Sequence, residues 1–130
     1  VSAIRAGAVN DEVEVELPSG LRLSAIITRE STEAMGLRVK QPVIAMVKAS
    51  SVLLATGLGD AKLSARNRID GTVAKVVPGA VNAEVTLQAH AGTLVVAIVT
   101  QASASGLGLQ PGSAASALVK ASDVILAATA

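Results

Sequence analysis

Cysteine is missing from this chain of 130 residues, and so are phenylalanine, tyrosine and tryptophan. Without cysteine there are no disulfides and no thiolate metal sites, and a single histidine leaves no basis for a structural zinc centre. Without aromatics there is nothing on which nucleobases could stack. The 11 basic and 10 acidic residues are mixed along the chain and give a net charge of +1, which is no nucleic-acid footprint. No apolar run approaches the roughly 18 residues of a membrane span, and no signal-peptide pattern is visible. Neither nucleic acid nor membrane is an expected partner, and a cytoplasmic location is expected.

What remains is a chain 51% hydrophobic, built on Val, Ala, Ile and Leu. Displaced by 72 residues, the chain matches itself: residues 1–58 fall on 73–130 without a gap, with 22 of 58 positions identical. This divides it into units 1–58 and 59–130, the second including the linker, with GLGDA at 57–61 spanning the junction. Units of about 60 residues bury only a marginal share of their surface. With small side chains and no crosslinks, the missing area is expected from contacts between units and between chains.

Both units read mainly as strands. DEVEVEL (11–17) alternates acidic and apolar residues, PSG (18–20) makes a hairpin turn, and LRLSAIIT returns. NAEVTLQ, HAGT and LVVAIVT repeat the plan, and a Gly-Ala-Val-Asn turn leads into each long strand. STEAMGL (31–37) predicts a short helix with Ser31 as N-cap, and Gly36 and Gly108 are placed to end the two helices in a left-handed conformation. PVIAMVKASSVLLA and AASALVKASDVILAA then supply two strands each, with Lys-Ala-Ser at the bend. The prediction is an all-β chain of two tandem OB-like, five-stranded Greek-key barrels, each with a short helix. The first unit has no counterpart of 59–72 and enters partway through its opening strand. Either a preceding segment or another part of the assembly is expected at that edge.

No catalytic constellation emerges, and no enzyme activity is expected. His90 reads as an exposed turn residue, Glu12, Glu14 and Glu16 as a solvated strand face, and Gly-Leu-Gly at 57–59 lacks the lysine of a phosphate loop. More informative is what recurs. Thr28 and Thr100 end the returning strands, and Ser31 and Ser103 open the helices. Lys48 and Lys120 sit in the bends, followed by Ser50 and Ser122. Hydroxyls, backbone N–H groups and a cation are the donors a small tetrahedral oxyanion requires. Each also has an ordinary structural use.

SARNRIDGTVAKVVPGAVNAEVTL, then AIVT with Ser three residues later, LGL and VKAS, resemble in order the molybdate-binding Mop, or molbindin, domains. The resemblance covers 64–130 as a whole domain and 1–56 as all but the opening strand. It implies a di-Mop protein of OB-like barrels that binds molybdate or tungstate in oligomers of six Mop units, here a homotrimer. It further implies that Ser64, Ala65 and Arg66 hold the oxyanion from one side, with no direct protein–metal ligands. Facing them would be Thr28, Ser31, Lys48, Ala49 and Ser50 from the first unit, or Thr100, Ser103, Lys120, Ala121 and Ser122 from the second. Only one SARN is present, so a trimer would hold three fully furnished sites of this kind instead of six. The function implied is intracellular storage and homeostasis of molybdate. The alternative is a molybdate-sensing effector module of a transcription regulator or transporter ATPase, and a purely structural oligomerisation module comes third.

Overall fold

A computed structural model describes residues 1–128. The strands form where the apolar alternation places them: β1 (Ala3–Arg5), β2 (Asn10–Glu16) and β3 (Arg22–Thr28), followed by helix α1 (Arg29–Met35) and β4 (Val43–Val47). The second repeat gives β6 (Asn67–Val77), β7 (Asn82–Ala89), β8 (Leu94–Thr100), helix α2 (Gln101–Gly106) and β9 (Ala114–Val119). Two short strands, β5 (Leu53–Ala55) and β10 (Val124–Ala128), close the repeats, each preceded by a 3-10 turn at Ala49–Ser51 or Ala121–Asp123.

The compact units do not follow the division at 58/59. One comprises residues 1–47 with 120–130, the other 48–119. At Lys48 and Lys120 the backbone is extended (φ −66°, ψ 130° and φ −67°, ψ 137°) and leads into a 3-10 turn, and the strands on either side of each bend do not pair with each other. Instead β10 pairs antiparallel with β4, Val124 opposite Val47, and β5 pairs with β9, Leu53 opposite Leu118. Each unit therefore takes its last strand from the other repeat, and each still has five strands.

In the unit of residues 48–119 the sheet order is β5-β9-β6-β7-β8, and the edge strands β5 and β8 pack against each other to close it. Its interior is Val73, Val85, Leu87, Ala97 and Ala117, all at most 1% exposed. Small side chains let the strands close tightly without aromatics, and each fully buried valine or leucine is worth about 1.5–3 kcal/mol.

The other unit holds a three-stranded sheet β1-β2-β3 and the pair β10-β4, with β10 packed on β3. Val13 and Ala25 lie at its centre, fully buried. Its opening strand is short. Val1 exchanges hydrogen bonds with Gln41 (2.9 Å) and Lys40 (2.7 Å), as Val73 does with Ser113 and Gly112 (both 2.8 Å). Beyond that point β6 runs along β9, Asn67 opposite Val119, whereas β4 is paired on one side only among the described residues. The consequence shows in burial: Ala115, Ala117 and Val119 are buried, while their counterparts Val43, Ala45 and Val47 are half-buried.

Candidate functional site

The two Gly-Ala-Val-Asn turns set the position of the recurring hydroxyls within each repeat. A Cβ on Gly7 would lie 2.3 Å from the Asn10 carbonyl oxygen, and one on Gly79 equally close to that of Asn82. Only glycine permits so close an approach. The turn in turn holds the helix start, since the Val9 carbonyl accepts the Arg29 N–H and the Val81 carbonyl the Gln101 N–H, both at 2.8 Å. Asn10 then lies opposite Thr28, and Asn82 opposite Thr100.

Thr28 and Thr100, not the serines, are the N-caps. This corrects the assignment of Ser31, because Arg29 and Glu30 already have helical geometry and the cap must precede them. Thr28 Oγ1 accepts the Ser31 N–H at 3.1 Å and donates to Ser31 Oγ at 2.8 Å. Thr100 and Ser103 repeat this at 3.0 and 2.8 Å. The serine N–H is thus taken by the cap, while the serine O–H remains as an outward donor. Gly36 ends α1 with φ 60°, and Gly108 follows α2 with φ 66°, as the sequence suggested.

The exchange of strands also re-sorts the recurring residues. A groove of about 520 Å³ in the unit of residues 48–119 brings Ser50 to Thr100 and Ser103, walled by Leu53, Ile98 and Leu107. Lys48 and Ala49 belong to the same unit, Ala49 opening the turn packed on β8 and Lys48 preceding it, and neither lines the groove. In the other unit β3, which ends in Thr28, packs against the turn Ala121–Asp123, so Lys120, Ala121 and Ser122 accompany Thr28 and Ser31. The grouping expected within each repeat, Thr28 and Ser31 with Lys48, Ala49 and Ser50, and Thr100 and Ser103 with Lys120, Ala121 and Ser122, is therefore corrected. Each cradle draws its Lys-Ala-Ser from the other repeat. Lys48, Lys120, Ser50, Ser122, Thr28, Thr100 and Ser103 are exposed, Ser31 and Ala49 half-buried, and Ala121 buried. Ser64, Ala65 and Arg66 form the lead-in to β6, with Ser64 and Arg66 exposed and Ala65 half-buried. They do not line this groove.

The unit that holds Thr28 and Ser31 also contains a residue that the sequence pattern did not single out. Asp11 is 1% exposed and accepts the Gly7 N–H at 3.0 Å. That bond, then the Thr32 hydroxyl and the Arg29 guanidinium, hold its carboxyl below the ordinary carboxylate value, against the opposing effect of burial. The signal was its place in DEVEVEL, an acid in phase with the inward Val13 and Val15. His90 sits in a 3-10 turn (His90–Gly92), and no cluster of metal-ligating side chains occurs among the described residues.

A family model for the TOBE domain matches residues 1–54 and again 63–126. The chain belongs to the TOBE-domain family. It carries two such domains in tandem, the di-Mop arrangement that the repeated motifs suggested. It is 46% identical over 127 residues to the molybdenum-pterin-binding protein MopA of Rhodobacter capsulatus, covering 98% of this chain and 48% of that protein. To the molybdenum transport protein ModE of Azotobacter vinelandii it is 43% identical, covering 98% and 47%. It thus spans about half the length of these relatives. The solved structure of the cytoplasmic molybdate-binding protein ModG, with molybdate bound, matches at a TM-score of 0.96 and 47% identity, over 99% of this chain and 92% of that one. The OB-like fold is shared along the whole length.

Proposed function

We propose that this chain binds molybdate, with tungstate as its close analogue, and serves intracellular storage and homeostasis of the oxyanion. The observation that carries this reading is the convergence of Ser50, Thr100 and Ser103 in one groove, in a chain that matches a molybdate-bound protein along nearly its full length. The Ser50 and Ser103 hydroxyls, which can donate, with Lys48 two residues before Ser50, suit an anion that accepts hydrogen bonds through every oxygen and needs no direct protein–metal bond. Ser64, Ala65 and Arg66 are proposed to complete the site from a neighbouring copy, Arg66 offering directed planar donors. The role is binding rather than catalysis, in the cytoplasm.

A homotrimer of two-domain chains is proposed as the working assembly. In the unit of residues 48–119, Leu94, Val96 and Ile98 on β8 and Leu53 on β5 are 40–61% exposed, an apolar face of the kind that subunit contacts cover. No helix among the described residues is long and apolar enough to cross a membrane. Sedimentation equilibrium should report the trimer, and a stable monomer at micromolar concentration would refute it.

Isothermal titration with molybdate, tungstate and sulfate tests the ligand. Molybdate and tungstate share charge and nearly share size, so they should bind alike. Sulfate can be rejected only through cavity size and fixed donor distances. Equal affinity for sulfate would reduce the site to a generic anion site, and absence of molybdate binding would remove the function.

A further inference from the structure

We infer that the two cradles of each chain are electrostatically unequal, and that Glu30 and Asp123 make the cradle at Thr28 and Ser31 the weaker oxyanion site. The inference rests on the proposed molybdate binding and concerns which residues tune it.

The hydroxyl and lysine sets are the same in both cradles, and the residues that flank them differ in charge. In the unit of residues 48–119 the flanking positions are neutral. Ala83 stands on β7, Gln101, Ala102 and Ser105 on α2, and Ser51 follows Ser50, which leaves Lys48 as the one charge in this set. The repeat-related positions of the other unit are Asp11, Arg29, Glu30, Glu33 and Asp123, beside Lys120. That set carries two cations against four carboxylates, a net of −2, where the first set carries +1.

The carboxylates are not equally effective. Arg29 lies 3.5 Å from both Asp11 and Glu33, so its guanidinium is already shared between them. Glu30, exposed, immediately precedes Ser31 in the chain. Asp123, half-buried, immediately follows Ser122 in the turn packed on β3. Adjacent residues lie about 3.8 Å apart at Cα, so the backbone of each of these two acidic residues stands one residue from a cradle serine. A unit charge about 6 Å from a dianion in a water-like dielectric costs about tenfold in affinity. Two such charges separate the classes by about 100-fold at low salt, and screening narrows the gap as ionic strength rises.

The test is equilibrium titration of molybdate into the whole chain at low and high salt, with oligomer size followed in parallel. Wild type should show two classes of site, the tighter lost in Lys48→Ala and the weaker in Lys120→Ala. Glu30→Ala combined with Asp123→Ser removes both carboxylates and should tighten the weaker class by about 100-fold at low salt. Ala102→Glu combined with Ser51→Asp should weaken the tighter class by about 100-fold. Two indistinguishable classes in wild type, or affinities that neither pair of substitutions moves, would overturn the inference while leaving molybdate binding intact. No molybdate binding by wild type would remove the proposed function and the inference together.

Discussion

Asp11 Oδ1 accepts the N–H of Gly7 at 3.0 Å, and the second repeat meets the same need with a different residue. There Ala83 replaces Asp11, and Gln101, at the position of Arg29, turns its Oε1 to the Gly79 N–H at 3.2 Å. One unit ties its Gly-Ala-Val-Asn turn with a buried carboxylate and a cation, the other with a neutral amide. Acid should therefore loosen one turn and spare the other.

The sign follows from Asp11, whose folded pKa is depressed below its ordinary value of 3.8 by Gly7, Thr32 and Arg29. Its stabilisation is present above the unfolded pKa and is lost as pH falls through the folded one. Asp11→Asn keeps an acceptor for Gly7 but cannot titrate. It should be less stable than wild type near neutrality and lose less stability between roughly pH 5 and pH 2. Urea midpoints measured across that range decide it, and parallel losses in the two proteins would contradict the role given to Asp11.

Gly79→Ala should cost about 1–3 kcal/mol, the usual range for forcing atoms into filled space. The new Cβ would stand 2.3 Å from the Asn82 carbonyl oxygen. Since Asn82 lies opposite Thr100, molybdate binding should weaken as well. Gly106 in α2 is the contrast, because a methyl group added there would meet no atom within 4 Å. Gly106→Ala should be neutral or stabilising by up to about 1 kcal/mol. Thermal unfolding of the two variants checks the difference.

Thr100→Val preserves shape and removes the oxygen that caps α2. It should cost about 1 kcal/mol of stability. It should also weaken molybdate binding, because the Ser103 hydroxyl loses the donor that orients it. Titration and denaturant unfolding on the same variant would show both effects, and unchanged affinity would take Thr100 out of the site.

Arg66→Ala should weaken molybdate binding far more than Lys62→Ala. Removing a charged donor from an enclosed oxyanion costs about 2–5 kcal/mol, roughly 30- to 5000-fold in affinity. Lys62, exposed ahead of the strand, is not among the proposed anion contacts. Wild-type affinity in Arg66→Ala with unchanged oligomer size would remove Arg66 from the site.

Strand β4, paired on one side only among the described residues, should exchange its outward amides much faster than β9, which lies between β5 and β6. In antiparallel pairing successive N–H groups point to opposite sides, so fast and slow amides should alternate along Val43–Val47. Uniformly slow exchange along β4 would mean that another strand covers this edge in solution.

Much of this molecule is legible along its chain. DEVEVEL announces β2 because a strand alternates its faces, and the glycines and asparagines repeated in the two turns mark where the backbone must crowd. The spacing of Thr and Ser by three residues already contained the cap, although the threonine rather than the serine fills it. Asp11 was less visible, since its burial depends on Gly7 and Arg29 arriving at the same oxygen from separate elements.

The sequence by itself determined the strands, their faces, the repeat and the types of residue in each cradle. Only the tertiary structure decided which Lys-Ala-Ser joins which Thr and Ser. Strand register is specified by a two-residue alternation, and the segments ending in Val-Lys-Ala-Ser carry nearly the same alternation in both repeats. Pairing β5 or β10 within its own repeat or with the other would satisfy that pattern equally well. The choice appears only in the folded chain, where β10 pairs with β4 and β5 with β9, so that each cradle is built from both repeats.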